Sequence, residues 1–261
     1  MNFNPGDVLT PRYDLFLVAC SYIVSVLGSL AALECARHLV RADKSTDWLM
    51  TGAAAVALGG VGIWSMHFIA MLAYRLPIPI SYNIVLSLVS LIAAVVIAGL
   101  ALYLAGGRGG FRVSGWVAAS IVAGVGVCVM HYLGMYGQVM RAYLSWNYAI
   151  VGLSFCIAMA AAGAALWLAF NLHRFVLRVL AAFVMGVAVC AMHYTGMAAA
   201  QVICTTAQPQ DSSWALSGTT LQFWVLTVTA TVLGLIAFAV VNRNMEQQFM
   251  SLHAQQMQRT S

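Results

Sequence analysis

Three histidines of this chain stand in the same short sequence context. Each of them, His67, His131 and His193, directly follows one methionine and precedes another by four residues. The six methionines are Met66, Met71, Met130, Met135, Met192 and Met197. Imidazole suits copper, zinc and iron, and thioether sulfur favours Cu(I) over zinc. The motifs therefore predict a metal site with copper as its first candidate; haem held by two of the histidines is the second.

Helical spacing indicates which sulfur atoms lie beside the histidines. Residues four apart share one face of a helix, which places Met71, Met135 and Met197 with the three imidazoles. The methionines that directly precede the histidines are rotated away by about 100°. Cys128 and Cys190 each lie three residues before a histidine and share its face. All six methionines are candidate ligands, and the spacing leaves open whether methionine or cysteine completes the coordination shell.

The segments that carry the motifs are strongly apolar. Of the 261 residues, 62% are hydrophobic and 7% are charged, whereas soluble domains carry about 25% charged residues. A soluble protein of this size could not cover its surface with so few charges. The composition therefore indicates an integral membrane protein whose partner is the lipid bilayer. The formal charge of +5 is typical of basic loops in such proteins and gives no reason to expect nucleic acid binding.

Seven apolar runs are long enough to cross a bilayer as helices, at about 20 residues each. They lie near 14–34, 48–73, 83–105, 114–137, 147–170, 175–200 and 220–241. None of these runs shows the alternation of barrel strands, so helices are the spanning structure that they favour. The predicted fold class is an all-α membrane protein with seven transmembrane helices.

Basic residues predict the orientation of these helices. One set of connections holds nine of the twelve lysines and arginines, and positive charge marks the cytoplasmic side. These nine are Arg37, Arg41, Lys44, Arg108, Arg112, Arg174, Arg178, Arg243 and Arg259, against Arg12, Arg75 and Arg141 on the other side. The N-terminus is therefore predicted outside and the C-terminus inside. The three motifs then fall in the outer halves of the second, fourth and sixth spans.

The motifs belong to an internal repeat. His67 and His131 are 64 residues apart, and His131 and His193 are 62 apart. A glycine precedes each histidine by seven residues, at Gly60, Gly124 and Gly186. The pattern predicts three tandem helix pairs of equal orientation, followed by a seventh helix. Because glycine lets membrane helices approach closely, we expect the three motif-bearing helices to come together.

The residues at 192–195 read Met-His-Tyr-Thr, and the chain resembles the MHYT membrane sensor domain over about residues 8–241. The resemblance rests on the motif, its threefold period and the topology. It implies a bacterial inner-membrane sensory module that binds copper through the three histidines and six methionines named above. It also implies a response to oxygen, carbon monoxide, nitric oxide or redox state. The first copy departs from the pattern with Phe68, Ile69 and Ala70, and the second with Leu133.

In this family the membrane module often precedes a diguanylate cyclase, a phosphodiesterase or a kinase. The resemblance therefore implies a cytoplasmic effector, either a domain or a separate protein. Residues 242–261 are predicted to form a cytoplasmic tail, in which Met245, Phe249 and Leu252 begin a heptad stripe. Three such positions favour a solvated helix end over the start of a signalling helix.

Two alternative functions stay open at this stage. A copper-handling permease would need polar residues along the inner halves of the motif-bearing spans, which are mainly Ala, Val, Leu and Gly. A haem-binding oxidoreductase would be a membrane enzyme. The sequence shows no paired carboxylates, nucleophile with a base, or nucleotide-binding glycine loop, so no enzymatic activity is predicted.

Other polar residues near the span ends allow weaker predictions. Asp14, Asn83 and Asn147 open the first, third and fifth spans on the side of the motifs. They are interpreted as interfacial residues, with orientation of the histidines as the alternative. Glu34 and His38 are four apart and predict a local pair. Residues 204–219 read as an outer loop over the site.

Overall fold

The computed structural model describes residues 4–39, 45–106, 112–172, 174–205 and 214–260. Seven helices in these residues are long and apolar enough to cross a membrane. They are α1 (Leu15–Ala36), α2 (Trp48–Ala73), α3 (Ile84–Gly106), α4 (Val113–Tyr136), α5 (Tyr148–Asn171), α6 (Phe175–Ala198) and α7 (Gly218–Thr260). The seven predicted spans and the helical fold class are confirmed. Of the basic residues used for orientation, Arg41, Lys44 and Arg108 lie outside the described residues.

The first six helices form a ring in chain order. Each packs against the next, and α6 packs against α1 to close the ring. Helices α2, α4 and α6, which carry the motifs, also contact one another. Helix α7 packs mainly against α2 and also touches α1. Three helix pairs thus surround one centre, and the seventh helix covers one of the three motif-bearing helices.

Short strands close the helix pairs at the end that the basic residues predict to be outside. They are β1 (Val8–Leu9), β2 (Arg12–Tyr13), β3 (Tyr74–Arg75), β4 (Ser81–Asn83), β5 (Gln138–Val139), β6 (Ala142–Trp146), β7 (Ala200–Cys204) and β8 (Ala215–Ser217). Strand β2 pairs with β3, β4 with β5 and β6 with β7, all antiparallel. Each of these ladders joins the start of one helix pair to its end. The sequence-based prediction did not include them, because strands of two to five residues are too short for a period to be visible.

One further strand pair connects the first helix pair to the third, and another connects the segment before α7 to the second. Strand β1 pairs with β7, and β8 pairs with β4. Strand β8 belongs to the predicted outer loop of residues 204–219, of which 206–213 lie outside the described residues. The described part of that loop therefore joins the ladder layer.

The polar residues that open α1, α3 and α5 act as helix caps. Asp14 accepts hydrogen bonds from the N–H groups of Phe16 and Leu17. Asn147 accepts from two N–H groups of α5 in the same way, and Asn83 accepts from one of α3. A side-chain oxygen that satisfies the free N–H groups of a first turn stabilises the helix. The structure assigns a capping role that neither sequence-based interpretation included.

The same three residues show the threefold repeat in their main chains. The Asp14 N–H donates to the Ala73 carbonyl at 2.9 Å. The Asn83 and Asn147 N–H groups donate at 2.8 Å to the carbonyls of Gly137 and Ala199. Each acceptor is the last residue of a motif-bearing helix or the residue directly after it. The start of every helix pair is therefore fixed to the outer end of its own motif helix.

Helix α2 differs from the other spans in its backbone. It is α-helical over Trp48–Ala55, π-helical over Val56–Ser65 and α-helical again over Met66–Ala73. The π segment changes which glycine makes the close approach. A methyl group at Gly59 would collide with the main chain of Ala94, whereas one at Gly60 would meet side chains at ordinary distances. Close packing was predicted at Gly60, but in the first repeat it occurs at the preceding residue, Gly59. The predicted close packing is present at Gly124 and Gly186.

Ion pairs connect the helices at the predicted inner end. Glu34 Oε1 of α1 accepts a hydrogen bond from Arg178 Nε of α6 at 2.6 Å, and the Glu34 carboxylate also accepts one from Arg37. Glu34 therefore pairs with two arginines, and its predicted local pair with His38 stays a prediction. Arg243 of α7 pairs with Asp47, which caps α2.

Candidate metal centre

The three motif imidazoles meet at the centre of the ring of helices. His67 Nδ1 lies 3.1 Å from His193 Nδ1 and 3.2 Å from His131 Nδ1. The three ring centroids are 4.9–5.0 Å apart, and the ring planes are inclined at 80–89°. All three side chains are fully buried. The repeated motifs thus bring three nitrogen donors to one point inside the membrane-spanning region.

Two motif glycines allow the rings to reach this point. A methyl group at Gly134 would collide with His67 Nε2, and one at Gly196 would collide with His131 Nε2. The imidazole of one repeat therefore packs on the helix backbone of the next. The same order around the ring would place the His193 imidazole against the first repeat. The residue equivalent to the two glycines is Ala70 there.

The hydrogen-bonding capacity of the triad is poorly satisfied by the protein. A neutral imidazole has one N–H and one lone pair, and buried polar atoms are normally hydrogen-bonded. Among the described residues, the Nε2 atoms of all three histidines are buried without a partner. The Nδ1 atom of His67 faces the Nδ1 atoms of both His131 and His193. It carries either one proton or one lone pair, so it can make a good hydrogen bond with one of these two neighbours. Proton sharing therefore leaves the cluster under-satisfied.

A single cation would use all three inner lone pairs. Nitrogens bound to one metal at the zinc–imidazole distance of about 2.0–2.1 Å are separated by roughly 3.3–3.6 Å for tetrahedral to trigonal angles. The observed separations of 3.1 and 3.2 Å are close to that range. The donor set therefore fits a metal ion, although imidazole alone does not select among copper, zinc and iron.

The six motif methionines are all buried near the triad or in the layer next to it. Their exposed fractions are 2% or less. Four of them, Met71, Met130, Met135 and Met197, belong to one apolar cluster with Phe68. Met192 packs in a separate cluster with Cys128 and Ala158, and Met66 is 1% exposed. Coordination of a metal by any of these methionines stays a prediction.

The cysteines that share the histidine face are not in the donor cluster. Within the described part of the chain, the group of close metal-ligating His, Cys, Asp and Glu atoms consists of the three histidines. The Cys128 sulfur instead lies 4.0 Å from the Ser154 carbonyl. Cys190 is partly buried.

A second polar ring surrounds the triad. The residue after His131 is Tyr132, whose hydroxyl lies 2.7 Å from Ser154 Oγ of α5. The residue after His193 is Tyr194, whose hydroxyl lies 3.2 Å from Ser21 Oγ of α1. In the first repeat Phe68 has no hydroxyl, and the equivalent serine of α3 receives its hydrogen bond from Trp64 Nε1 at 3.0 Å.

Sequence reasoning missed these serines, although a signal was present. Ser21, Ser90 and Ser154 each lie seven residues after the capping Asp or Asn of their helix. Aligning the odd-numbered spans on those caps would have revealed the serines. The packing role of Gly134 and Gly196 was missed as well. It depends on which helices are neighbours, and the repeat alone does not state this.

Aromatic side chains of the outer ladders pack on the motif helices. Tyr74 and Tyr82 are 5% and 2% exposed, and Tyr82 lies edge-on to Phe68 with ring centroids 6.0 Å apart. Burial raises the pKa of both tyrosines to about 12. They are therefore neutral near pH 7, and their rings add an apolar layer between the triad and the outer surface.

The chain matches the family model described as MHYT, a bacterial signalling protein N-terminal repeat, three times, over residues 60–119, 124–182 and 186–250. Each matched unit begins at the glycine seven residues before a motif histidine. The units therefore start within the motif helices, one helix later than the helix pairs joined by the outer ladders. No solved structure matches the chain.

Similar proteins carry names from bacterial signalling, and two of the three names below describe cyclic di-GMP enzymes. The bifunctional diguanylate cyclase/cyclic di-GMP phosphodiesterase MucR of Pseudomonas aeruginosa is 43% identical over 74% of this chain and 29% of its own length. The signaling protein YkoW of Bacillus subtilis is 28% identical over 83% of the chain and 28% of its own length. The cyclic di-GMP phosphodiesterase NbdA of P. aeruginosa is 31% identical over 72% of the chain and 24% of its own length.

The chain spans less than a third of the length of these relatives. The similarity therefore concerns the membrane region rather than a whole relative. Seven spanning helices and three family repeats make the protein a multi-pass protein of the bacterial inner membrane with a sensory or signalling role. The threefold motif, the ring of helix pairs and the matched repeats agree, and the chain belongs to the MHYT family.

Proposed function

We propose that this protein is a membrane sensor that binds copper through its three motif histidines and responds to a diatomic gas or to redox state. The observation that carries the proposal is the buried triad, in which three Nδ1 atoms face one another and three Nε2 atoms lack partners. A cation relieves the under-satisfied inner nitrogens. The surrounding methionines favour copper among the metals that imidazole accepts, because thioether sulfur suits Cu(I).

Under this proposal some residues bind the metal and others shield it from water. His67, His131 and His193 would hold the metal through Nδ1, and the six motif methionines are the candidates for a further ligand. Bound copper would supply a redox couple and a coordination position for oxygen, carbon monoxide or nitric oxide. The glycines under the rings fix the imidazole orientation, and the apolar layer of tyrosines limits access of bulk water.

The path of the signal is proposed to run from α2 to α7. The Thr229 hydroxyl of α7 donates to Ser65 Oγ of α2 at 2.8 Å, two residues before His67. At the inner end, Arg243 of α7 pairs with Asp47 at the start of α2. A displacement of His67 would therefore act on α7 at two points. Helix α7 continues without a break to Thr260, on the side predicted to be cytoplasmic.

The proposed partner is a cytoplasmic cyclic di-GMP enzyme or a kinase, joined to or contacted by the end of α7. Two relatives have names that describe cyclic di-GMP enzymes. The continuous helix favours the signalling-helix interpretation of residues 242–260 over the solvated helix end. Met245 and Phe249 are both exposed and could contact a second helix.

The alternative of a copper permease is less well supported. A transport path would continue from the triad toward the inner end, between the motif helices. The space there is lined by apolar side chains such as Ala123, Val127 and Met192, which offer a metal ion no oxygen or nitrogen ligands.

The test is metal analysis of the purified protein with His67, His131 and His193 all replaced by alanine. We expect copper in the unsubstituted protein and its loss in the triple variant. The matched control is His38→Ala, which removes a histidine at the inner end and should keep the metal. Equal copper content in the triple variant and the unsubstituted protein would disprove the site. A Soret band in the unsubstituted protein would replace copper with haem.

A further inference from the structure

A cavity of about 60 Å³ lies inside the ring, on the inner side of the triad. It is lined by residues of α2, α3, α4, α5 and α6. The lining residues of the motif helices precede the histidines, and Met192 directly precedes His193. The cavity therefore ends next to the imidazoles and extends toward the inner half of the membrane.

The composition of the wall explains why the space exists. All eighteen lining residues are Ala, Gly, Val, Leu, Ile or Met, and nine of them are alanine. Small side chains on facing helices, such as Ala98 of α3 and Ala162 of α5, leave a gap that leucine would fill. Close-packed interiors normally contain few voids larger than a water molecule. This void is therefore a specific consequence of the alanines.

The same wall makes the cavity unsuitable for water. The volume would admit several water molecules, but a buried water needs two to four polar partners. The lining side chains offer no N–H, O–H or charged group, and helix backbone groups are already paired within the helices. Enclosed apolar cavities stay dry and take up apolar guests such as xenon, and the apolar wall gives this space the same preference.

We propose that this cavity binds a small apolar molecule of the size of xenon or a diatomic gas and holds it beside the triad. The inference deepens the proposed function, since a gas sensor gains from a store of its ligand next to the metal. The physical basis is separate, however. Partition of an apolar gas into a dry cavity requires the void and its apolar wall, and it requires no metal.

The test uses crystals of the full chain, prepared without metal and pressurised with xenon. We expect an anomalous scattering peak in the cavity of the unsubstituted protein. Ala162→Leu on α5 and Ala98→Leu on α3 should each remove the peak by filling the space from opposite sides. Ala164→Leu lies on an exposed face of α5 and should leave the peak unchanged.

The absence of xenon from the unsubstituted protein, or a peak that persists in both filled variants, would overturn the proposal. Because two variants on different helices are used, loss of folding in one of them does not remove the test. A second readout is the rate at which carbon monoxide binds to copper-loaded protein. It should fall several-fold in a filled variant whose copper content is unchanged, and an unchanged rate would contradict storage beside the triad.

The outcomes separate this inference from the proposed function. Xenon in the cavity with no copper at the triad would leave the gas cavity and remove the metal sensor. Copper at the triad with no xenon would leave the metal site and remove the cavity.

Discussion

Helix α2 and its two counterparts, α4 and α6, carry equivalent histidines on unequal scaffolds. Helices α4 and α6 are α-helical throughout, whereas α2 contains a ten-residue π-helix that ends just before Met66. The most apolar part of α2 is 89% buried, against 28% and 33% for α4 and α6. The difference arises because α7 covers α2 alone among the motif helices. Three nearly symmetrical donors are thus held by one central helix and two that face the lipid.

The side chains around the triad differ in the same way. In the second and third repeats a tyrosine hydroxyl binds the serine of the next helix, and a cysteine lies at the position four residues before that tyrosine. In the first repeat Phe68 replaces the tyrosine and Trp64 replaces the cysteine. The tryptophan N–H then takes over the bond to Ser90. The hydrogen bond to the serine is therefore present in all three repeats, made by tryptophan in the first and by tyrosine in the other two. The first repeat is the most apolar of the three at this position.

The π segment of α2 makes the first repeat suited to transmit a change at the triad to α7. π-Helical segments are rare in proteins, and those that occur are often found at functional sites. In α2 the Ser65 hydroxyl donates to the Gly60 carbonyl at 2.9 Å, five residues earlier, and it accepts from Thr229. A change in the winding of this segment would move His67 and the contact with α7 together.

The largest loss of metal affinity is expected at the two glycines that contact the imidazoles, Gly134 and Gly196. The first repeat has Ala70 at this position. In Gly134→Ala and Gly196→Ala the added methyl would push an imidazole out of the triad. Displacing a group that orients a ligand costs about 10–100-fold in metal affinity, and overpacking costs about 1–3 kcal/mol of stability. Metal titration and unfolding in mixed micelles would measure both losses.

The matched substitutions should behave differently. Ala70→Gly at the equivalent position of α2 should keep metal affinity within a few-fold. In Gly152→Ala the methyl meets no atom within 4 Å, so metal affinity should not change, and stability should not fall because alanine is the better helix former. Equal metal affinity in Gly134→Ala and Gly152→Ala would contradict the packing of the rings on the glycines.

The next largest effect on stability is expected when the Trp–Ser hydrogen bond of the first repeat is replaced by the Tyr–Ser hydrogen bond of the other two. Phe68→Tyr should bury a hydroxyl beside a serine that Trp64 already occupies, and Trp64→Phe should remove the donor to that serine. Phe68→Tyr is expected to cost about 1–3 kcal/mol, the penalty of an unsatisfied buried polar group. Trp64→Phe is expected to cost at least about 0.5–1.5 kcal/mol, the net value of one hydrogen bond, because the Ser90 hydroxyl keeps its bond to the Ser87 carbonyl. The double variant restores a hydroxyl donor, so its loss should be smaller than the sum. Additive losses in a double-mutant cycle would show that the two arrangements are not interchangeable.

The contact between α2 and α7 is expected to contribute less. Thr229→Val should cost about 1 kcal/mol by removing the donor to Ser65, and Ser65→Ala should cost a similar amount. The double variant should resemble either single one, since both partners are then gone. Thr231→Val is the control, because its hydroxyl is exposed and bonds within its own helix. A loss for Thr231→Val as large as that for Thr229→Val would contradict a specific link.

The smallest effect concerns the helix cap of the first pair, which is charged where the other two are neutral. The Leu17 N–H, together with Arg75 and the Phe16 N–H, holds the pKa of Asp14 below its ordinary value of 3.8. A lowered pKa stabilises the fold above the ordinary value, and the contribution is lost as the pH falls below it. The thermal midpoint of the unsubstituted protein should therefore decrease more between neutral pH and about pH 3 than that of Asp14→Asn. Parallel profiles would contradict this role.

Much of the architecture could be predicted because a bilayer restricts the choices. Seven apolar runs of sufficient length had to become seven helices, since backbone groups in lipid must be paired within the element. The period of the histidines predicted three equivalent helix pairs, and the structure has them. The caps at Asp14 and Asn147 were visible as polar residues that precede apolar runs, but their role was assigned to the membrane interface.

The unpredicted features depend on contacts between distant residues. The outer ladders join residues 54 or more positions apart, such as those of β2 and β3. The bond between Trp64 and Ser90 requires that α2 and α3 be neighbours. The π-helix reflects how α2 packs between α1, α3 and α7, and the local residues Gly59, Gly60 and Gly62 permit it without specifying it.

The sequence by itself determined the membrane class, the number of helices and the threefold placement of imidazoles at one depth, because hydropathy and period are local properties of the chain. The tertiary structure decided which atoms meet. It turned the three Nδ1 atoms toward one another, placed Gly134 and Gly196 under the neighbouring rings and left an alanine-lined cavity beside them. These outcomes depend on the order of helices around the ring, since that order fixes which face of each helix meets its neighbour.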